Sequence, residues 1–259
     1  MKLKDTVHFK LPKQLLSALL LLILVMACIS LTDASLYELI SNMDHMVAFL
    51  KRFMSPDFAY IPKLIVPMLK TLQMSIVGTV IGVGFAIPFA FLATHYATDN
   101  SIFSEVIRFL LGIVRTIPNL LLAALFVAIL GIGEVTGILT IAVFTFGMVS
   151  QLIYEAIETI DLGPIESTKS IGATRLQTSV WAILPQITPS IISYAIYAVE
   201  INVRASTILG YVGAGGIGVI LSSALALQRY DRVSVIILMI LFIVFLCDLI
   251  SESLRKKVM

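Results

Sequence analysis

The side chains that could do chemistry in this chain are few, and they sit in unusual surroundings. Glu200 and Arg204 lie four residues apart inside an apolar stretch, so on a helix they share a face and can pair in the favourable order, acid first. A charge at the centre of a membrane helix costs about 2.5 to 3.5 kcal/mol on insertion scales, so such residues face a bundle interior or an aqueous cavity. Two readings stand side by side. The pair can be structural, fixing helix packing, or Arg204 can help an anion pass, because a planar guanidinium offers a tetrahedral oxyanion two parallel hydrogen bonds. Arg115, beside Thr116, Pro118 and Asn119, divides the same way and can equally be an interfacial anchor. Gly213, Gly215 and Gly218 spell G-x-G-x-x-G, but a dinucleotide site needs a preceding strand and an acidic residue about 20 positions later, and neither is present. A bend or re-entrant turn at membrane depth is the better reading. His8, His45 and His95 are scattered without a carboxylate at ligand spacing, which argues against a metal site. The phosphate-loop pattern G-x-x-x-x-G-K-[ST] does not occur either.

Composition explains why those charges matter. Of 259 residues, 59% are apolar and 13% charged, against roughly 25% charge in a soluble domain. The mean hydropathy is +1.01. Such a chain cannot cover itself with a polar shell, and the bilayer is its solvent. The formal charge of +2 gives no basis for nucleic-acid binding. Cys28 and Cys247 both fall in apolar runs and read as small core residues.

Stretches free of charge predict an all-α polytopic protein with about six spans, near 14–32, 70–95, 107–131, 135–154, 189–209 and 233–251. Residues 1–69 then form an anchor helix with an external loop, and 70–259 the core. The first span could instead be a cleaved signal peptide, although its apolar run exceeds the usual 7 to 15 residues. Lys2, Lys4, Lys10 and Lys13 precede the first span, and Arg255, Lys256 and Lys257 follow the last, which sets both termini in the cytoplasm. Lys51, Arg52, Lys63, Lys70, Arg229 and Arg232 oppose that orientation. Gly78 and Gly82 form a G-x-x-x-G, a helix-packing pattern that could also work across a dimer. The stretch near 51–70, with Pro56, Pro62 and Pro67, is expected along the outer surface.

One long polar interruption, 155–188, breaks the membrane pattern, and long loops usually carry function. Gly163-Pro164 can open a short helix with Glu166 in its first turn. Gly172 can close it, and Thr174 can cap a second helix. Leu176, Val180, Ile183 and Leu184 recur there at helical spacing, on the membrane surface, and Pro185 stops the helix. The prediction is a helix-turn-helix elbow with Gly172-Ala173 at its bend.

Glu166, Gly172 six residues on, and Leu184-Pro185 resemble the EAA loop of ABC-importer permeases, EAA-x3-G-x9-I-x-LP. Ser167 and Thr168 replace the usual alanines, and Ala182 replaces the isoleucine. The segments YEAIETIDLGPIESTKSIGATRLQ, AILPQITP, NVRASTILGYVGAGGIG and RTIPNLLLAALFVAILGIG are similar to the permease subunit of phosphonate importers, and they cover Arg115 to Gly218. The resemblance implies a type I ABC importer (MetI-like) permease in the inner membrane, carrying phosphonates, or by an alternative reading phosphate, phosphite or another small oxyanion. It implies coupling residues Glu166, Ser167, Thr168, Gly172, Ala173, Leu184 and Pro185. It also implies a translocation pathway near Glu200, Asn202, Arg204, Arg115, Gly213, Gly215 and Gly216. The implied partners are ATPase subunits that use ATP and magnesium, a periplasmic or lipid-anchored substrate-binding protein, a second permease copy and the bilayer. This chain would bind no cofactor of its own. An ion-coupled transporter would need paired broken helices in two repeats, and one glycine-broken segment is visible. An intramembrane enzyme would need a nucleophile and base at one depth, and none presents itself.

Overall fold

The computed structural model describes residues 11–32, 40–96 and 101–258. The chain divides into two units, Met1–Lys51 and Arg52–Met259. The first contains α1, Leu11–Leu31, whose described side chains are all exposed, as suits a helix that gives its whole circumference to lipid. Cys28 on it is exposed rather than a core residue. A short amphipathic helix, α2, Met43–Phe53, leads toward the second unit.

The second unit is built on α3, Ile61–Leu92, which lies along α6, Glu134–Glu158. Residues 61–69, expected in the outer loop, are the opening turns of α3. Pro62 stands in its first turn, where the missing N–H costs nothing. Pro67 and Pro88 are carried inside, a cost membrane helices tolerate because side chains re-engage the freed backbone. The Thr71 hydroxyl donates to the carbonyl of Pro67 itself, four residues back on the same helix, at 3.0 Å.

Gly78 and Gly82 pack within the chain, against α6. A Cβ on Gly78 would fall 2.7 Å from Ile141 Cβ, and one on Gly82 2.6 Å from the Ala142 carbonyl oxygen and from Thr145 Cβ. Small residues let two backbones approach where lipid supplies no hydrophobic drive.

The span expected at 107–131 is broken. α4, Ser101–Thr116, and α5, Asn119–Leu130, meet at 86°. The cause is Pro118, which lacks an N–H and pushes Ile117 out of helical geometry. Among the described residues five helices are long and apolar enough to cross a membrane, or up to six if the bent pair counts as one span.

The elbow forms as α7, Gly163–Ser170, and α8, Arg175–Thr178. Pro185 does not end its second arm. A π-helical turn, Ser179–Ile183, joins α8 to α9, Leu184–Leu209, with Pro185 in the first turn of α9 and Pro189 inside it. The wider turn absorbs the register change, so the fifth span starts at the elbow itself. After α9 come a 3₁₀ turn at Gly210–Val212, the short α10, Ile217–Ala226, and the last span, α11, Tyr230–Val258.

Two apolar clusters hold the ends. At the elbow end, Ile165 and Ile183 pack with Ala86, Val149, Ile153, Ile157 and Ile187. At the opposite end, Leu64 and Met68 of α3 pack with Ile217 and Leu221 of α10 and Val233 and Ile236 of α11.

Candidate functional site

The elbow is anchored on one side and open on the other. Ile165, 2% exposed, is the side chain that pins α7 to the spans. The Asp161 carboxylate accepts from the Gly163 N–H at 3.1 Å, ahead of the first turn. Ser167 and Thr168 turn their hydroxyls back onto the helix, to the Gly163 carbonyl at 2.8 Å and the Ile165 carbonyl at 2.9 Å. Glu166 is exposed. At the bend Gly172 takes φ +80°, a left-handed conformation that a side chain disfavours. The Ala173 N–H then closes onto the Thr168 carbonyl at 3.1 Å. Thr174 and Gln177 form a reciprocal capping box at 3.4 and 2.8 Å. Ile183 faces inward while Leu176, Trp181 and Ile171 are left largely exposed, so only part of the expected apolar stripe is outward. Thr168, Ile171, Gly172, Ala173, Gln177 and Trp181 line an open depression of about 460 Å³. Leu184 and Pro185 belong to the first turn of α9.

The residues expected on a pathway fall in four different places. Glu200 and Arg204 do pair, Arg204 Nη2 to Glu200 Oε1 at 2.6 Å. They are joined by two residues of α11 that sequence reasoning did not select. Arg204 Nη2 also reaches Asp248 Oδ1 at 3.3 Å, and Arg255 Nη2 reaches Glu200 Oε2 at 3.3 Å. The result is a formally neutral cluster of two carboxylates and two guanidiniums linking α9 to α11. Asp248 carried a signal, since it is the lone charge that interrupts the apolar run of the last span.

Asn202 lies elsewhere. It is fully buried, and its amide donates to the hydroxyls of Thr79 on α3 at 2.8 Å and Thr145 on α6 at 2.7 Å. Two residues from both Glu200 and Arg204, it is turned by about 200° and cannot share their face. Ser75 and Ser206 continue the same polar seam at 3.3 Å. These bonds tie α9 to α3 and α6, and interhelical hydrogen bonds in a membrane are worth about 0.6 to 1.7 kcal/mol each.

Arg115 bonds to Gln151 on α6, and Gln151 in turn donates to Glu155 at 2.6 Å, away from the α9–α11 cluster. Gly213, Gly215 and Gly216 form the turn at the far end of α9, with φ of +86°, +87° and +72°. Gly216 requires glycine twice over, because a Cβ would also lie 2.5 Å from Thr71 Oγ1. That hydroxyl accepts the first N–H of α10, from Ile217, at 2.8 Å. Lys70 and Glu134 pair at 2.5 Å near this turn. At the elbow end Arg108 donates to the Ala93 carbonyl at 2.6 Å, pairs with Glu158 and stacks over the Tyr154 ring at 5.1 Å. It ties the end of α3 to the end of α6. Among the described residues no group of three or more His, Cys, Asp or Glu could hold a metal ion.

Comparison with known proteins gives this arrangement a lineage. The chain is 39% identical over 90% of its length to the phosphite transport system permease protein PtxC of Stutzerimonas stutzeri, covering 85% of that protein. It is 36% identical over 84% of its length to the phosphate-import permease protein PhnE of Mycolicibacterium smegmatis, of which it spans 41%. Among solved structures, an inward-facing form of the MetNI methionine ABC transporter superposes with a TM-score of 0.68 at 21% identity, over 78% of this chain and 99% of the other. Residues 82–259 match the family model of binding-protein-dependent transport system inner membrane components. With its broken third span, elbow and buried helix seam, the chain belongs to that family and is a membrane-spanning ABC transporter permease.

Proposed function

We propose that this chain is the permease subunit of an importer that carries phosphonates, or a closely related phosphorus oxyanion, into the cell. The observation that carries the reading is similarity over most of the chain to permeases named for phosphite and phosphate import, joined by 40% identity over 118 residues to a cryptic phosphonate permease, PhnE2 of Escherichia coli. The substrates share a tetrahedral phosphorus oxyanion, so a phosphite importer is the second reading, favoured by the 39% identity to PtxC.

ATP hydrolysis would be supplied by separate ATPase subunits holding ATP and magnesium, and the solute would be delivered by a binding protein on the outer face. The exposed Ile171, Leu176 and Trp181 around the elbow depression suit an ATPase groove, because they leave apolar surface uncovered on an otherwise polar loop. Glu166, Ser167, Thr168, Gly172 and Ala173 shape that docking element, and Leu184-Pro185 passes its movement directly into α9. Two copies would form the transporter, with both termini and the elbow on the cytoplasmic side. Closure of the ATPases would pull the elbows and shift the population between inward and outward access.

Uptake of labelled 2-aminoethylphosphonate by cells with and without this gene tests the substrate. Loss of uptake on deletion, with little competition by excess phosphate or phosphite, supports a phosphonate importer. Unchanged uptake in cells lacking a second phosphonate system rejects it.

A further inference from the structure

The second arm of the elbow does not close against α3. Pro88, Phe91 and Leu92 of α3 form one wall and Ser179, Val180 and Leu184 the other, around a groove of about 400 Å³ that is separate from the elbow depression. Both walls are irregular. Pro88 has no N–H to give to its turn of α3, and the wide π-helical turn Ser179–Ile183 starts at the groove. Turns of that kind recur at functional sites.

The lining is apolar except for one group. Ser179 is 5% exposed, and among the described residues its hydroxyl has no hydrogen-bond partner. Its backbone N–H already meets the Arg175 and Leu176 carbonyls, the acceptors one turn back that a helical serine commonly uses. A buried hydroxyl is costly to leave unpaired, so an acceptor from outside the chain fits this wall.

Depth selects the occupant. The α3 wall ends at Leu92, and the next residue, Ala93, offers its carbonyl to Arg108, which also pairs with Glu158. That charged tie marks the watery edge of the span, because such groups avoid hydrocarbon. From Leu92 back to Ile87, the deepest α3 residue of the lining, is about 7.5 Å at 1.5 Å per residue. Apolar faces at the membrane surface meet acyl chains about 5 to 10 Å into the boundary. A molecule resident there with a long apolar body and acceptor oxygens at one end is a glycerophospholipid.

We propose that this groove holds one acyl chain of an inner-leaflet phospholipid, with a lipid ester carbonyl accepting from the Ser179 hydroxyl. This rests on the reading above only for the cytoplasmic side of the elbow, and the solute carried does not enter. One wall is the span α3, and the other leads without a break into α9. The lipid therefore sits where the elbow has to move against the membrane.

The full-length chain in detergent, titrated with dioleoylphosphatidylglycerol and weighed by native mass spectrometry, tests the site. Wild type should hold a first lipid more tightly than any later one. Val180→Trp fills the groove from the arm and Leu92→Trp from α3, and each should weaken that first lipid about tenfold. Ser179→Ala removes a single hydrogen bond and should weaken it about fivefold. Leu241→Trp, on the exposed side of α11 and outside the groove, should bind as wild type does. Each variant is weighed after it elutes from size exclusion as one species, and two groove-filling changes on different walls guard against a misfolded one. Groove variants that bind the first lipid as tightly as Leu241→Trp overturn the proposal, as does Ser179→Ala at wild-type affinity. If the groove variants leave the lipid count unchanged and split a dimer into monomers, a second copy fills the groove and the phospholipid does not. The uptake assay decides the importer reading separately, since none of these outcomes depends on transport.

Discussion

Replacing Gly82 by alanine should destabilise the protein, although alanine is the better helix former. The new Cβ would lie 2.6 Å from the Ala142 carbonyl oxygen and 2.6 Å from Thr145 Cβ, where carbon contacts settle near 3.5 to 4.0 Å. The obstacles are backbone and a branched Cβ, so no flexible side-chain end can yield, and α3 and α6 have to part. Overpacking of this kind costs about 1 to 3 kcal/mol. Thr145 is also the acceptor for Asn202, and losing that bond adds about 0.6 to 1.7 kcal/mol in a membrane. The sum is about 2 to 5 kcal/mol. Gly84→Ala, two residues further on and exposed, meets nothing within 4 Å and should gain about 0.5 to 1 kcal/mol from propensity alone. Thermal unfolding of the purified protein in detergent reads both. A lower midpoint for Gly82→Ala with an unchanged or higher one for Gly84→Ala is the expected pattern. Equal shifts would refute the reasoning that close helix approach, and not glycine content, governs this interface.

The polar seam makes a second prediction: Asn202→Asp places a carboxylate in a fully buried site at an insertion cost of about 2.5 to 3.5 kcal/mol, so little folded protein should be recovered, while Asn202→Leu should be milder by thermal unfolding. At the elbow, Gly172→Ala finds open space, and its only penalty is the positive φ, about 1 to 2 kcal/mol. The expected result is a folded transporter whose ATP hydrolysis responds less to the loaded binding protein, measured as stimulated over unstimulated rate; a normal response counts against the coupling role. Arg108→Lys keeps one charge but not the fork that meets the Ala93 carbonyl and Glu158 together or the stack on Tyr154. It should therefore lower the unfolding midpoint nearly as far as Arg108→Ala does.

Much of the fold was legible because membrane burial is decided locally. Runs without charge had to become helices, since a spanning backbone must satisfy itself. The elbow was legible for the same reason, because Gly163-Pro164, Gly172 and Thr174 each act within one turn of chain, and all three do what their local chemistry dictates. Proline was the unreliable guide. Pro118 breaks its helix, whereas Pro67, Pro88, Pro185 and Pro189 are accommodated. Whether a proline ends a helix or is carried inside it is decided by the packing around it, which spacing along the chain does not record.

By itself, then, the sequence determined the solvent, the elbow and the presence of a Glu200–Arg204 pair, all consequences of composition or of spacing within one helix. Only the tertiary structure decided that Asn202 turns inward to Thr79 and Thr145 while its neighbours turn to α11. It alone brought Asp248 and Arg255, more than forty residues away in sequence, onto Arg204 and Glu200. Partners on different helices are chosen by how the helices pack, and no pattern along a single helix records that choice.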